Sequence, residues 1–454
     1  MAGANCSQRH GQMRLGKNVL GVFGTTMLNV VLSFGNSIFL ARTLGVEGRG
    51  EFAVFSASFG ILSLLLGFGL DVALRYYVAV DRMPRERILT SLILFVLVMG
   101  TLLGLTVHLT DRLFANELFL PHAKQTLAFE FVLAGVVTAN IFHSNIASVF
   151  AGARSFKALN WAAIGFALLS LAGYGALYLA KEARLAPIDS GDVFFLYLVL
   201  CLANAAVLGG LAYWTLGVRP SLGLLDRRLL GEMLRYGGVA FAGNIAQFLN
   251  YRVDIWIVQY FSGPVALGLY SLAGNLAMML WILPRSASAV LVPAMAAGDA
   301  EASFERAARL GRLVLLASAV VGVAAALLAN QWIGLLYGQD FAAAGEAFAV
   351  LVIGCVPFSV CVVQAGALAA FNRQGVNLAA AGGGLVVTIV LDMLLIPRFG
   401  IIGAATASAA SYIVTAAVVA RAFSKISSVP SRAALFPQRG DLRYVTDGLK
   451  SILR

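Results

Sequence analysis

The chain has 454 residues, of which 60% are hydrophobic and only 12% are charged, and its formal net charge at pH 7 is +11. Soluble domains hold roughly 45–50% apolar and about 25% charged residues, so this composition excludes an ordinary soluble protein and is typical of a polytopic membrane protein. The positive charge does not indicate nucleic-acid binding, because the basic residues fall between apolar runs rather than on one soluble face.

The apolar runs are continuous over twenty or more residues, which is the length of a membrane-spanning helix. A membrane β-barrel would instead show alternating segments of about ten residues. We therefore predict an all-α protein with about twelve transmembrane helices. In chain order the predicted spans are residues 16–41, 50–74, 88–108, 125–151, 158–180, 193–217, 236–261, 266–292, 309–330, 343–370, 375–396 and 402–423.

The predicted spans divide the chain into two halves. The predicted domains are an N-terminal six-helix bundle (1–217), a cytoplasmic linker (218–235), a C-terminal six-helix bundle (236–424) and a basic cytoplasmic tail (425–454). Twelve spans put both termini on one side of the membrane, and 24 of the 33 Lys and Arg residues fall on that side against 7 on the other. The positive-inside rule therefore predicts that both termini are cytoplasmic.

The two halves align with each other at a shift of 218 residues. This shift places Gly45 on Gly263, each in a glycine-rich loop between two spans, and a shift of 218 to 219 brings Arg154 onto Arg373. Since each half has an even number of spans, both halves have the same orientation. We expect two bundles related by a pseudo-two-fold axis along the membrane normal, with the substrate path between them.

The same shift superposes polar positions of the first and seventh spans. At 100° per residue, the four positions of each span lie at about 0, 300, 340 and 280°, which is one narrow stripe. The matched stripes predict a cavity wall, although amide side chains inside a membrane can also simply join helices. The superposed pairs are Thr26 with Asn244, Asn29 with Gln247, Ser33 with Tyr251, and Asn36 with Asp254.

Two arginines lie within predicted spans of the second half. A charged side chain near the bilayer centre costs about 3 to more than 10 kcal/mol, so such residues usually face a cavity or a partner. Arg252 and Arg285 are candidates for binding an anionic headgroup, because a guanidinium binds phosphate oxygens in a bidentate manner. For Arg285 the alternative is that it snorkels to the cytoplasmic interface beside Pro284.

Three acidic residues, Asp254, Asp392 and Glu130, also lie within apolar stretches. Such carboxylates could couple transport to a proton or sodium gradient, and they could equally serve as counter-ions to the arginines. His143 lies deep in a span and is interpreted as a hydrogen-bonded packing residue. Because the sequence has neither a metal-ligand spacing nor a large loop with catalytic groups, we expect no metal, no cofactor and no enzymatic activity.

Three stretches of the chain resemble a known family. They are FLARTLGVEGRGEFAVFSASFGILSLLLGFGLDVALRYYVA (39–79), VDIWIVQYFSGPVALGLYSLAGNL (253–276) and LLIPRFGIIGAATASAASYIV (394–414). They are similar to the polysaccharide-biosynthesis flippases of the multidrug/oligosaccharidyl-lipid/polysaccharide exporter superfamily. The resemblance implies two six-helix bundles around a central cavity that opens alternately to each side. One departure is Asp392, where this family would have an asparagine.

The resemblance also implies a function. It implies a flippase that moves a polyprenyl-(pyro)phosphate-linked oligosaccharide to the outer leaflet of a bacterial inner membrane, for assembly of O-antigen, capsule or exopolysaccharide. The expected partners are this substrate, the bilayer, a coupling ion (proton or sodium) and polysaccharide-assembly proteins.

Two alternatives stay open. One is a multidrug or organic-cation antiporter of the same superfamily, which Arg252 and Arg285 disfavour because they repel a cation. The other is a membrane-embedded glycan polymerase or ligase, which is less favoured because the sequence has no large outward loop.

Overall fold

The computed structural model describes residues 2–80, 85–114, 126–185, 187–217, 227–296 and 300–436, together with Gln438 and Asp441. Every regular element within these residues is helical, which confirms the predicted all-α fold. The first half contains α1 (Ala2–Gly67), α2 (Leu70–Ala79), α3 (Arg85–Phe114), α4 (Leu127–Gly152), α5 (Phe156–Glu182) and α6 (Ser190–Thr215).

The second half begins with a longer helix. It contains α7 (Arg227–Met278), a 3-10 turn (Met279–Trp281), α8 (Ile282–Ala296), α9 (Ala300–Leu327), α10 (Ala329–Tyr337), a second 3-10 turn (Gln339–Phe341), α11 (Ala344–Ala370), α12 (Gln374–Ser427) and α13 (Ser431–Leu435).

Three helical stretches are long enough to cross a membrane twice. Among the described residues, eight stretches qualify as spans by length and composition, and the three long ones contain 41, 48 and 54 residues. A single crossing needs only about 20 residues. Each long stretch is interrupted by a non-helical glycine, which is Gly45 in α1, Gly263 in α7 and Gly400 in α12. Together with the shorter apolar segment of α3 (Thr90–Thr106), this confirms twelve crossings.

The backbone repeats at the shift that the sequence predicts. Gly45 (φ 70°, ψ −175°) and Gly263 (φ 79°, ψ 179°) have nearly the same conformation, which essentially only glycine adopts. The α4 helix ends at Gly152 and α11 ends at Ala370, which is again 218 residues later. The internal repeat is therefore a property of the backbone as well as of the polar pattern.

One pair in the predicted alignment is wrong by one residue. The chain turns through a left-handed residue just after α4 and just after α11, at Arg154 and Asn372 respectively, and both have φ 57°. Arg154 therefore corresponds to Asn372 rather than to Arg373. The register follows the left-handed residue because this conformation is sterically restricted, and asparagine adopts it more readily than most residues do.

The chain forms two compact units, Met1–Ile245 and Ala246–Arg454. In the first unit, α4 packs against α1, α2, α3 and α6, and α1 packs against α5. Aromatic side chains fill part of this core, where the rings of Phe55 and Phe194 stack with centroids 4.8 Å apart. The α6 helix begins at a capping box in which Asp189 and Asp192 each accept the other's backbone N–H, at 3.1 and 3.0 Å.

In the second unit, α11 packs against α8, α9 and α12. Its core contains the fully buried Trp281, whose ring centroid lies 4.7 Å from Phe358 and 5.1 Å from Tyr412. The indole Nε1 of Trp281 donates to the carbonyl of Cys355 at 3.2 Å, which satisfies its polar group inside the core.

The predicted linker is partly helical. The α7 helix begins at Arg227, so residues 227–235 are helical, while residues 218–226 lie outside the described residues. Leu229 and Met233 are both buried, and Arg228 pairs with Glu232 at 3.3 Å on the exposed side. Apolar and charged residues at a spacing of four stabilise an amphipathic helix here, which the basic composition alone did not predict.

The described part of the predicted tail folds onto the second unit. The α12 helix continues to Ser427, two residues past the predicted start of the tail, and the short helix α13 packs against α9 and α12. Arg312 of α9 donates to both carboxylate oxygens of Asp441, at 2.7 and 2.8 Å, and also to the carbonyl of Ala433. Arg312 and Asp441 are both buried, so this ion pair connects the tail to a membrane helix.

Candidate functional site

A polar cavity of about 410 Å³ lies within the first unit. Four helices contribute one face each, and on each helix at least one pair of lining residues is three or four positions apart, as expected for helix faces that converge on one space. The lining residues are Asn29 and Ser33 of α1, Ala139, Asn140 and His143 of α4, Ala163, Phe166 and Ala167 of α5, and Tyr197, Cys201 and Asn204 of α6.

The polar stripe of α1 is divided between this cavity and the packing of α1 against α5. Asn204 Nδ2 donates to His143 Nδ1 at 3.2 Å, which joins α6 to α4. Within the described residues, Asn29 Oδ1 has no hydrogen-bond partner. Asn36, further along α1, donates to the carbonyl of Ala167 at 3.4 Å. The predicted stripe therefore divides: Asn29 and Ser33 face the cavity, and Asn36 joins α1 to α5.

In the second unit, predicted site residues surround a much smaller pocket of about 20 Å³, which is room for about one water molecule. Tyr251, Arg252 and Asp254 all line it. Arg252 Nη1 donates to Asn275 Oδ1 at 3.2 Å, which holds the guanidinium at the pocket. The structure thus brings three of the predicted residues together at one pocket.

Asp254 is buried, with 4% of its surface exposed. One carboxylate oxygen, Oδ2, accepts from the hydroxyl of Tyr270 and from Ser408 Oγ, the latter at 3.1 Å. The other oxygen, Oδ1, has no partner within the described residues. Asp254 is thus partly stabilised by hydrogen bonds and keeps one oxygen available for a proton or a cation.

Further buried polar groups surround the first half of α12. Asn250 Oδ1 accepts from Thr388 Oγ1 and from Ser411 Oγ, both at 3.1 Å. Asp392 is fully buried, and neither of its oxygens has a partner among the described residues. An ionised buried carboxylate without a partner is very costly, which makes Asp392 a candidate for binding a proton or a cation.

The remaining predicted residues line neither of these two pockets. Arg285 is exposed, and its guanidinium lies 5.6 Å from the ring centroid of Trp281 in a cation–π contact. Glu130 is buried, and its Oε2 lies 3.0 Å from His108 Nδ1 of α3. Asn244 is an exposed residue of the first unit, while Gln247 in the second unit has a buried Nε2 without a described partner.

The sequence pattern did not identify Asn140 and Asn204 of the first cavity, Tyr270 of the second pocket, or Ser408, which donates to Asp254. A signal was present in the first unit, because Asn140 with His143 and Cys201 with Asn204 recur at a spacing of three inside apolar helices. The sequence pattern does not show which of these helix faces pack together, because that depends on the tertiary structure.

The chain matches the family model described as "Polysaccharide biosynthesis protein" over residues 15–298. It is also 21% identical over 431 residues to a protein of Haloferax volcanii described as "Probable low-salt glycan biosynthesis flippase Agl15", and this match covers 92% of the chain and 85% of that relative.

Two solved structures have a similar fold. The lipid II flippase MurJ in an inward closed conformation matches with a TM-score of 0.69 at 13% identity, covering 90% of this chain and 89% of the other. An inward-facing multidrug resistance transporter of the MATE family matches with a TM-score of 0.69 at 15% identity, covering 88% of this chain and 94% of the other. At these identities the likeness shows the fold alone.

Proposed function

The chain belongs to the polysaccharide biosynthesis protein family, and we propose that it is a flippase for a polyprenyl-(pyro)phosphate-linked oligosaccharide. By alternating access the protein moves the headgroup from the cytoplasmic to the outer leaflet, where polysaccharide is assembled. It is a multi-pass protein of the bacterial plasma membrane with both termini in the cytoplasm, in line with the distribution of Lys and Arg. Polysaccharide-assembly proteins are its expected partners.

The observation that supports this proposal best is the position of Arg252. Its guanidinium lies within a membrane span, lines a pocket and is held there by Asn275. A guanidinium stays charged when partly buried and matches the oxygens of a phosphate group. The pocket is water-sized, so a pyrophosphate reaches Arg252 only after surrounding side chains have moved, as alternating access requires.

The buried carboxylates of the second unit support a coupling ion. Asp254 and Asp392 retain oxygens without described partners, and Asn250 and Ser408 add further oxygens nearby. Buried carboxylates of this kind are typical of proton and sodium sites in transporters. We assign coupling to Asp254 and Asp392. Glu130, which contacts His108, is assigned a counter-ion role.

The second candidate function is an organic-cation antiporter. The buried carboxylates Asp254 and Asp392 favour it, since carboxylates attract cations. Arg252 lines the same pocket as Asp254 and opposes it, because placing a cationic substrate beside a guanidinium is unfavourable. The two functions therefore make opposite predictions for Arg252.

The test is transbilayer movement of a fluorescent polyprenyl-diphosphate oligosaccharide in vesicles that contain the purified chain. We expect Arg252→Ala to lower the initial rate at least tenfold, and Arg252→Lys to give an intermediate rate because it keeps the charge without the bidentate geometry. Arg228→Ala, which removes an exposed arginine of α7, is the control and should keep the full rate. An unchanged rate for Arg252→Ala at equal protein level would remove Arg252 from the substrate path.

A further inference from the structure

The cavity of the first unit differs chemically from the pocket of the second. Its described lining contains no Asp, Glu, Lys or Arg, and its polar groups are amides, a hydroxyl, an imidazole, a phenol and a thiol. The pocket of the second unit, in contrast, contains both Arg252 and Asp254. With His143 neutral, the lining of this cavity offers hydrogen-bonding groups but no formal charge.

The cavity also has the size and the aromatic surface that a small ligand needs. Its volume of about 410 Å³ lies within the range of about 300–1,000 Å³ that is common for small-molecule sites. Phe166 and Tyr197 supply apolar ring surface in the lining, and Asn29, Asn140 and Asn204 supply amides that can both donate and accept. Apolar faces combined with paired donors and acceptors suit a ligand that carries many hydroxyl groups on a carbon ring.

The chemistry of the polar groups in the lining limits which ligands fit this cavity. Asn204 donates to Nδ1 of His143, and the amides of Asn29 and Asn140 line the same space. A ligand that bonds to such groups replaces the hydrogen bonds that water would otherwise make with them. A phosphate would need a cation in this lining, and an organic cation would need a carboxylate.

We infer that this cavity is a saccharide-binding subsite that holds an uncharged sugar residue of the substrate. The inference rests on the proposed function, and it assigns a sugar residue of the substrate to this cavity of the first unit. A site that hydrogen-bonds specific hydroxyls rejects ligands that lack them, so this cavity also selects among lipid-linked sugars.

Cys201 provides a probe inside the cavity, because it lines the space and is only half-buried. Cys361 is a buried free thiol of the second unit that does not line the pocket of Arg252, and it serves as the internal reference. The full-length protein in nanodiscs is treated with N-ethylmaleimide, and modification of each cysteine is followed by peptide mass spectrometry. The added probes are polyprenyl diphosphates carrying one to four sugars, polyprenyl diphosphate alone, and ethidium. Each glycolipid is also assayed for transport.

We expect a transported glycolipid to slow modification of Cys201 at least fivefold, and polyprenyl diphosphate alone to change it less than twofold. Asn140→Leu should abolish the protection. Thr138→Val should retain it, since the hydroxyl of Thr138 bonds to the carbonyl of Ala134 within the same helix. Equal protection by polyprenyl diphosphate alone, protection by ethidium, or no protection by a transported glycolipid would each overturn the subsite.

The same experiment separates the subsite from the proposed function. Protection of Cys201 by a glycolipid that is not transported would support the sugar site and contradict the flippase. Transport without protection would support the flippase and contradict the sugar site.

Discussion

Asp392 is fully buried, and its carboxyl oxygens contact no hydrogen-bond donor among the described residues. Asp254 is nearly as buried, but Tyr270 and Ser408 stabilise one of its oxygens. The two carboxyl groups therefore differ in how far their surroundings stabilise the ionised form. Tyr270, Ser408 and Arg252 lie beside Asp254, whereas no described group donates to Asp392. We propose that this difference underlies a coupling step that involves both residues.

Substitution of these carboxylates should uncouple transport from the ion gradient. We expect Asp392→Asn to keep downhill movement of the lipid-linked substrate but to reduce its stimulation by a proton or sodium gradient at least fivefold. Asp254→Asn should have a similar effect. The measurement is the flipping rate in vesicles with and without each gradient. Asp340→Asn removes an exposed carboxylate and is the control. A full pH and sodium response in both variants would exclude the coupling role.

Asp441 fixes the described part of the tail to α9. Its hydrogen bonds to the Arg312 guanidinium hold the pKa of the Asp441 carboxyl below its usual value of 3.8. A carboxyl whose pKa is lower in the folded state stabilises the protein above its unfolded pKa, and this stabilisation is lost as the pH falls through the folded pKa. The ion pair therefore contributes fully at neutral pH.

We predict that Asp441→Asn lowers the free energy of unfolding by about 2–4 kcal/mol at pH 7, because it leaves a buried guanidinium without its counter-ion. Thermal unfolding of the purified protein in detergent measures this loss. The difference from wild type should shrink as the pH falls below the usual value of 3.8 and through the lower pKa of the folded Asp441 carboxyl. Glu305→Gln, an exposed change on α9, should have little effect. If the stability difference between Asp441→Asn and wild type did not change with pH, the ion pair between Asp441 and Arg312 would not be its cause.

At the scale of helices, the glycine breaks are the features that the sequence predicted best. The shift of 218 residues identified Gly45 and Gly263 as equivalent positions, and their backbone angles agree within about ten degrees. The sequence alone predicts these breaks, because a residue with positive φ and extended ψ is nearly always glycine. The packing of α4 against α6 through Asn204 and His143 could not be predicted, since periodicity identifies a polar face but not its partner.

The requirement for glycine at these helix breaks can be tested by substitution. We expect Gly263→Ala to reduce stability by about 1–3 kcal/mol, because a Cβ is disfavoured at φ 79° and ψ 179°. Thermal unfolding and the flipping rate should both decrease. Gly382→Ala is the matched control, since Gly382 is helical and a Cβ there meets no atom within 4 Å. If both variants unfold at the wild-type temperature, the conformation of Gly263 does not require glycine.

At the scale of the whole molecule, composition was enough to predict a twelve-span helical membrane protein, because apolar length sets the number of crossings. The candidate site was predicted only in part. The pattern identified Arg252, Asp254 and Asp392 because charges are rare in spans. It did not identify Asn140 or Tyr270, because uncharged polar residues are common in spans and only tertiary packing shows that these two line a pocket. It also treated the tail as a separate segment, although the burial of Asp441 ties that segment to the second unit.

The proposed flippase transports an anionic lipid-linked sugar rather than a cation. The most direct measurement compares, in the same vesicles, the transbilayer movement of a polyprenyl-diphosphate oligosaccharide with the uptake of tetraphenylphosphonium. We expect protein-dependent movement of the glycolipid and no cation uptake above that of empty vesicles. Gradient-driven uptake of tetraphenylphosphonium, with no movement of the glycolipid, would contradict it and support the antiporter.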